Sequence, residues 1–185
     1  MVIGLWIGIT VGAIILSSFI YYYNRFVVLD NRIKNSEAQI NVQLRKRADL
    51  VPSLVKVVKG YAKHESKIMI EVTKARVEML KATNTATKVK AGDKLQNALK
   101  SIFAIAENYP QLKANENYLH LQQELAAIED KVAYARQYYN DSITFYDNAS
   151  QRFPGVLFFK LYGRERGKEY LKIPEASKKM PEIDL

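Results

Sequence analysis

The sequence predicts an all-α membrane protein: an N-terminal transmembrane helix followed by an elongated antiparallel helical bundle with two long helices and one or two shorter ones. Three observations lead there. Val2 to Tyr23, VIGLWIGITVGAIILSSFIYYY, holds no charged residue. Beyond it, apolar residues return at three- and four-residue steps over most of the chain. Glycine and proline are scarce, 8 and 5 in 185 residues, and sit at a few punctuation points, as in a helical protein. The chain divides accordingly into an anchor over 1–24, a helical bundle domain over 25–163 and an extended C-terminal tail over 164–185.

About 22 residues at ~1.5 Å rise span roughly 33 Å, enough to cross a ~30 Å hydrocarbon core with slight tilt. A cleaved signal peptide would want a basic leader and a shorter apolar run. Here nothing basic precedes the run, and bulky residues follow Ser17 and Ser18. Basic residues cluster on the C-terminal side of the span: Arg25, Arg32, Lys34, then Arg45, Lys46 and Arg47. That bias places the long domain in the cytoplasm and the N-terminus outside. Tyr21, Tyr22 and Tyr23 stand where an interfacial aromatic belt is expected. Gly4, Gly8 and Gly12 fall four apart on one helix face, a spacing that lets two helices approach closely in lipid. They are the candidate self-association residues, although glycine is common in membrane helices without that role.

Past the span, Phe26, Leu29, Ile33, Ile40, Leu44 and Val51 keep the helical period, so the first soluble helix continues straight out of the membrane. Pro52 removes a backbone donor. The period resumes at Leu54, Val55 and Val58 and continues to Met79, which is compatible with one kinked helix or with two helices and a tight break. Thr83–Gly92, TNTATKVKAG, reads as the main loop, with Asp93 as N-cap of a short helix from Lys94 to Asn108. The second long helix is the best marked. Tyr118, Leu121, Leu125, Ile128, Val132, Ala135, Tyr139, Ser142, Tyr146, Ala149 and Phe153 alternate by three and four, a coiled-coil-like seam. Pro154 and Gly155 stop it. Val156, Leu157, Phe158, Phe159, Leu161 and Tyr162 then form an apolar patch, either a cap on the open bundle end or a surface for lipid or another subunit.

The charge is unevenly placed. Arg25 to Lys100 holds 17 Lys and Arg against 7 Asp and Glu; the remainder of the chain holds 11 against 12. Lys56, Lys59, Lys63, Lys67 and Lys74 recur at helical steps as a basic stripe. It reads as a solvated face, as a site for anionic headgroups at ~1 kcal/mol per lysine near the surface, or as a site for an acidic protein partner. No recognition motif accompanies the charge, so nucleic acid is not expected.

Catalytic patterns are missing from the sequence. There is no cysteine, nucleophile elbow, phosphate loop or zinc-type spacing. Glu116, His120 and Glu124 share a helix face, yet no Glu-x-x-His pair exists for a di-metal bundle. His64 and Glu65 are adjacent and so point about 100° apart on a helix. No metal, cofactor or small-molecule substrate is expected. Asn24, Asn31, Asn35, Asn41, Gln39 and Gln43 interrupt the first apolar face, where polar residues fix register.

Three blocks then resemble a known bacterial family. They are NRIKNSEAQINVQLRKRADLVPSLVKVVKGYAKHE (Asn31–Glu65), ENYPQLKANENYLHLQQELAAIEDKVAYARQYYND (Glu107–Asp141), and the FPG of Phe153–Gly155 followed by the tail KEYLKIPEASKKMPEIDL. In this order they are similar to the LemA family. The segment VLFFKLYG departs most from that pattern. The resemblance implies a single-span protein of the bacterial inner membrane with a helical domain and no established catalytic activity. It also implies association with membrane peptidases or envelope stress. The expected function is a non-catalytic, membrane-anchored scaffold that self-associates into a homo-oligomer. The alternative is an adaptor that binds a membrane partner such as a peptidase through the basic stripe.

Overall fold

In a computed structural model of the chain, residues 1–163 and 169–172 are described, and among them there are six helices and no strand. Helix α1 runs from Val2 to Tyr61, 60 residues without interruption. The apolar span therefore continues directly into the first soluble helix, as the unbroken period predicts. Pro52 lies inside α1 and does not end it. The energetics explain this. A proline in a helix interior costs about 3 kcal/mol. Breaking the helix there would forfeit the register that buries Leu54 and Val58, both fully buried, and each such side chain contributes roughly 1.5–3 kcal/mol.

Pro52 cannot donate to the carbonyl of Ala48, its i−4 partner. That oxygen instead accepts from Arg76 Nε at 2.8 Å. Of the two alternatives left open at Pro52, a kinked helix or a break, the structure has one continuous helix there; the chain breaks ten residues later, over Ala62–Glu65, where it turns into helix α2 (Ser66–Lys81). Two backbone bonds shape the turn, Ala62 N to Val58 O at 2.8 Å and Glu65 N to Ala62 O at 3.2 Å.

Helix α3 spans Thr85–Ala106. The expected loop over Thr83–Gly92 is thus mostly helix, and its cap is Asn84 rather than Asp93. The Asn84 side chain accepts the Thr87 amide at 2.8 Å, and the Thr87 hydroxyl bonds back to Asn84 O at 2.9 Å. Gly92 reads as a breaker in sequence but serves as a contact point. A Cβ there would stand 2.6 Å from Leu44 Cδ2. Glycine lets α3 approach α1 at that level, and close approach outweighs its low helix propensity.

A short helix α4, Pro110–Lys113, leads into α5, Glu116–Gln151. Asn115 caps α5 by accepting from Tyr118 N at 3.0 Å. Of the predicted seam, Tyr118 through Ala149 are all buried, whereas Phe153 lies past the helix end and is 80% exposed. Helix α6, Gly155–Leu161, follows.

The chain forms two compact units, one built on Met1–Ser36 with Tyr138–Tyr170 and the other on Glu37–Gln137. In the first, α1 and the end of α5 run antiparallel. The Ser36 and Ser142 hydroxyls meet at 3.3 Å in a buried contact, and Phe26 packs edge-on to Tyr146. In the second unit, Val51, Leu54 and Val58 of α1 pack with Val72 of α2, Leu95, Leu99 and Ile102 of α3, and Leu121 and Leu125 of α5. Of the polar residues expected to interrupt the first apolar face, Asn24, Asn31, Asn35 and Gln39 are exposed, whereas Asn41 and Gln43 are half-buried with their side-chain oxygens buried. The extended tail expected over 164–185 lies outside the described residues except at 169–172. There the Tyr170 hydroxyl donates to Asp147 at 3.3 Å.

Candidate functional site

Gly4, Gly8 and Gly12 sit in the part of α1 that is long and apolar enough to cross a membrane, and that window has none of its residues buried by the chain. A Cβ added at any of the three would meet nothing within 4 Å. The glycine face is therefore an open strip between exposed apolar side chains such as Leu5, Ile7 and Val11.

At the lower end of the span α6 folds back onto α1. The Phe158 ring stacks on Tyr22 with centroids 5.1 Å apart, Phe19 meets Tyr162 edge-on at 5.0 Å, and Phe159 packs on Phe26 at 5.4 Å. The Tyr162 hydroxyl donates to the Phe19 carbonyl at 2.6 Å. The predicted apolar patch is thereby split. Phe158, Phe159 and Tyr162 turn onto α1, with Val156 half-buried, while Leu157 and Leu161, four apart, remain 57% and 70% exposed. Gly155 permits the reversal: a Cβ there would lie 2.3 Å from the Ala149 carbonyl oxygen.

The basic stripe is divided by the turn at Ala62–Glu65. All five lysines are exposed. Lys56 lines a groove with Tyr61, Asn115 and His120. Lys59 and Lys74 instead flank an apolar groove of about 420 Å³ that contains Met69 and Ile70. Lys63 stands in the turn and Lys67 in the first turn of α2.

Charged side chains that the periodicity did not single out occupy the centre of the second unit. Arg47 is fully buried; it pairs with Glu129 and donates to Gly92 O at 3.3 Å. Arg136 of α5 pairs with Asp93 of α3. Burial pushes the Arg47 guanidinium below its ordinary range, an effect that the adjacent Glu129 partly offsets. Asp93, expected as a helix cap, serves here as an ionic link between helices. A signal for Arg47 existed: it falls on the same step as Ile40, Leu44, Val51, Leu54 and Val58, all buried.

Burial also raises the Tyr118 phenol above its usual range, with Glu107 adding to the effect. Tyr109 is raised as well, by desolvation and by Glu65, to which it donates at 3.3 Å. Among the described residues no group of three His, Asp or Glu side chains is placed to hold a metal ion. His120 and Glu124 approach to 3.9 Å on an exposed surface.

Comparison with known proteins adds the lineage. The chain is 21% identical to the magnetosome proteins MamQ 1 and MamQ 2 of Paramagnetospirillum magneticum over 185 residues, covering 86% of this chain and 68% of each relative. It is 23% identical to the magnetosome protein MamQ of Magnetospirillum gryphiswaldense over 177 residues, covering 82% of this chain and 65% of that one. The model of the LemA family matches residues 36–185. With that match over most of its length, and with an apolar N-terminal helix leading into a helical domain, the chain is a membrane-anchored helical protein that belongs to the LemA family.

Proposed function

We propose that this protein is a non-catalytic scaffold that self-associates in the bacterial inner membrane through its span, with the helical domain on the cytoplasmic side. The observation that carries the reading is the open glycine face. In lipid, association depends on close packing of small residues, and Gly4, Gly8 and Gly12 offer such a strip with no part of their own chain over it. The orientation rests on the basic residues Arg25, Arg32 and Lys34 directly after the span.

The test is the mass of the full-length protein extracted in native lipid beside a Gly8→Leu variant. Because a Cβ at position 8 meets no described residue within 4 Å, the variant is expected to alter association and leave the fold intact. A discrete assembly that weakens in the variant supports the scaffold. A monomer in both refutes it.

A second reading has its own observation. The apolar groove between Lys59 and Lys74, with Ile70 53% exposed, suits a partner segment that pairs apolar with acidic side chains, the adaptor alternative. Glutamate at positions 56, 59, 63 and 67 should abolish capture of such a partner from membranes; unchanged capture counts against it.

A further inference from the structure

We propose that the first unit carries a binding site for the headgroup of an anionic phospholipid, formed by Arg25, Arg32 and Arg152 around a groove of about 520 Å³. The site rests on the membrane-anchored part of the reading above and is independent of self-association.

Three features point to the ligand. The first is position. Tyr22, in the last turn of the apolar stretch, is one wall of the groove. Along the helix axis Arg25 lies ~3 Å and Arg32 ~13 Å beyond Tyr23, and the headgroup layer occupies roughly 5–8 Å on each side of the hydrocarbon core. Side chains of a helix lean toward its N-terminus. In α1 that direction is toward the bilayer, and Arg25 follows it, donating to the Tyr21 hydroxyl at 3.1 Å, while Arg32 lies over the facing rings of α5.

The second feature is charge. Among the described residues no Asp or Glu lines the groove. Among the described residues none of the three arginines forms an ion pair with a carboxylate. Three arginines thus line one groove with no described carboxylate to balance them, and phosphate matches the planar donor geometry of a guanidinium.

The third is preorganisation. The Arg32 guanidinium is held 4.7 Å over the Tyr138 ring and 5.0 Å over Phe145, and its buried Nε has no hydrogen-bond partner. At the rim, Phe145 and Phe153 are 50% and 80% exposed, apolar surface suited to the glycerol and upper acyl region rather than to water. That wall of aromatic rings at the bilayer surface selects a lipid phosphate over a free one.

Native mass spectrometry of the full-length chain, loaded with phosphatidylglycerol or phosphatidylcholine, tests the site. The wild type should retain phosphatidylglycerol in preference. Arg32→Gln with Arg152→Gln should weaken that retention roughly 30-fold, at about fivefold per charge near the surface. Lys56→Gln with Lys59→Gln should leave it unchanged. Arg152 is exposed at a helix end, so Arg152→Gln alone, with unchanged circular dichroism, gives about a fivefold loss even where loss of the stacked Arg32 perturbs folding. Equal retention of both lipids, or retention indifferent to Arg152→Gln, overturns the proposal. So does displacement of the lipid by inorganic phosphate, which would assign the groove to a free anion. A monomeric chain that still selects phosphatidylglycerol would refute the scaffold and leave this site standing.

Discussion

Arg76→Met should loosen the middle of α1, and the loss should vanish when Pro52 is removed. Pro52 leaves the Ala48 carbonyl without its helical donor, and Arg76 Nε occupies that acceptor at 2.8 Å. Ala48 is fully buried, so water cannot replace the guanidinium. Methionine keeps most of the apolar stem and removes the donor. A hydrogen bond from a charged group contributes about 1.5–3 kcal/mol, so local opening should become roughly 10- to 150-fold more frequent. Pro52→Ala restores a donor from the helix itself and lifts a penalty of up to ~3 kcal/mol. In that background Arg76→Met should cost less than ~1 kcal/mol, a coupling of at least about 0.5 kcal/mol between residues on different helices. The assay is amide hydrogen exchange of residues 53–58 in the full-length chain in nanodiscs, across the four members of the cycle. Equal costs of Arg76→Met in both backgrounds, to within ~0.5 kcal/mol, would refute the idea that the arginine substitutes for the missing amide.

Three further outcomes follow from the packing. Glu129→Gln should destabilise the second unit by about 3–5 kcal/mol in urea unfolding because it strands the buried Arg47 charge, whereas Arg47→Met with Glu129→Leu should recover most of that loss. Gly92→Ala should gain less than Gly60→Ala, because Leu44 must turn its methyl away, while Gly60→Ala, where a Cβ meets nothing, should stabilise by up to ~1 kcal/mol; a thermal melt of Gly92→Ala that rises as far as that of Gly60→Ala refutes the close approach. Gly155→Ala should undock α6, because the clash is with the backbone carbonyl of Ala149 rather than with a side chain that can move. Faster exchange confined to residues 156–162 and to the end of α5 would report it, and unchanged protection there would refute it.

The long apolar periods were readable because burial imposes them. The seam of α5 from Tyr118 to Ala149 and the α1 positions Phe26, Ile33, Ile40, Leu44 and Val51 are buried as the spacing requires, with Leu29 of the same period half-buried. Local breakers misled where tertiary contacts outweighed them. Pro52, which the sequence leaves as a kink or a break, stays in a helix that buries Leu54 and Val58, and Arg76, distant in sequence, supplies the lost donor. Gly92 stays in a helix because Leu44 needs the space of a missing Cβ. Neither partner can be inferred from residues near the breaker. The polar interruptions were misassigned for a similar reason: asparagine draws attention by composition, yet Ser36 and Arg47 hold the seam positions. Counting seam steps without regard to residue type would have found both. The arginine groove has no linear signature, since Arg152 joins Arg25 and Arg32 only when α5 returns antiparallel to α1.

The bond from Tyr162 to the Phe19 carbonyl joins residues 143 apart in sequence, and that separation sets an order of events during synthesis. At about 5–20 residues per second, roughly 7–30 s pass between translation of the span and translation of the helix that covers its C-terminal end. Throughout that interval Phe19, Tyr22 and Phe26 present bare rings beside the lipid surface. Insertion machinery, lipids or neighbouring nascent chains can occupy them first. Closure by α6 comes late in synthesis, so a chain that ends before Gly155 lacks the helix that covers these rings and keeps its aromatic socket open.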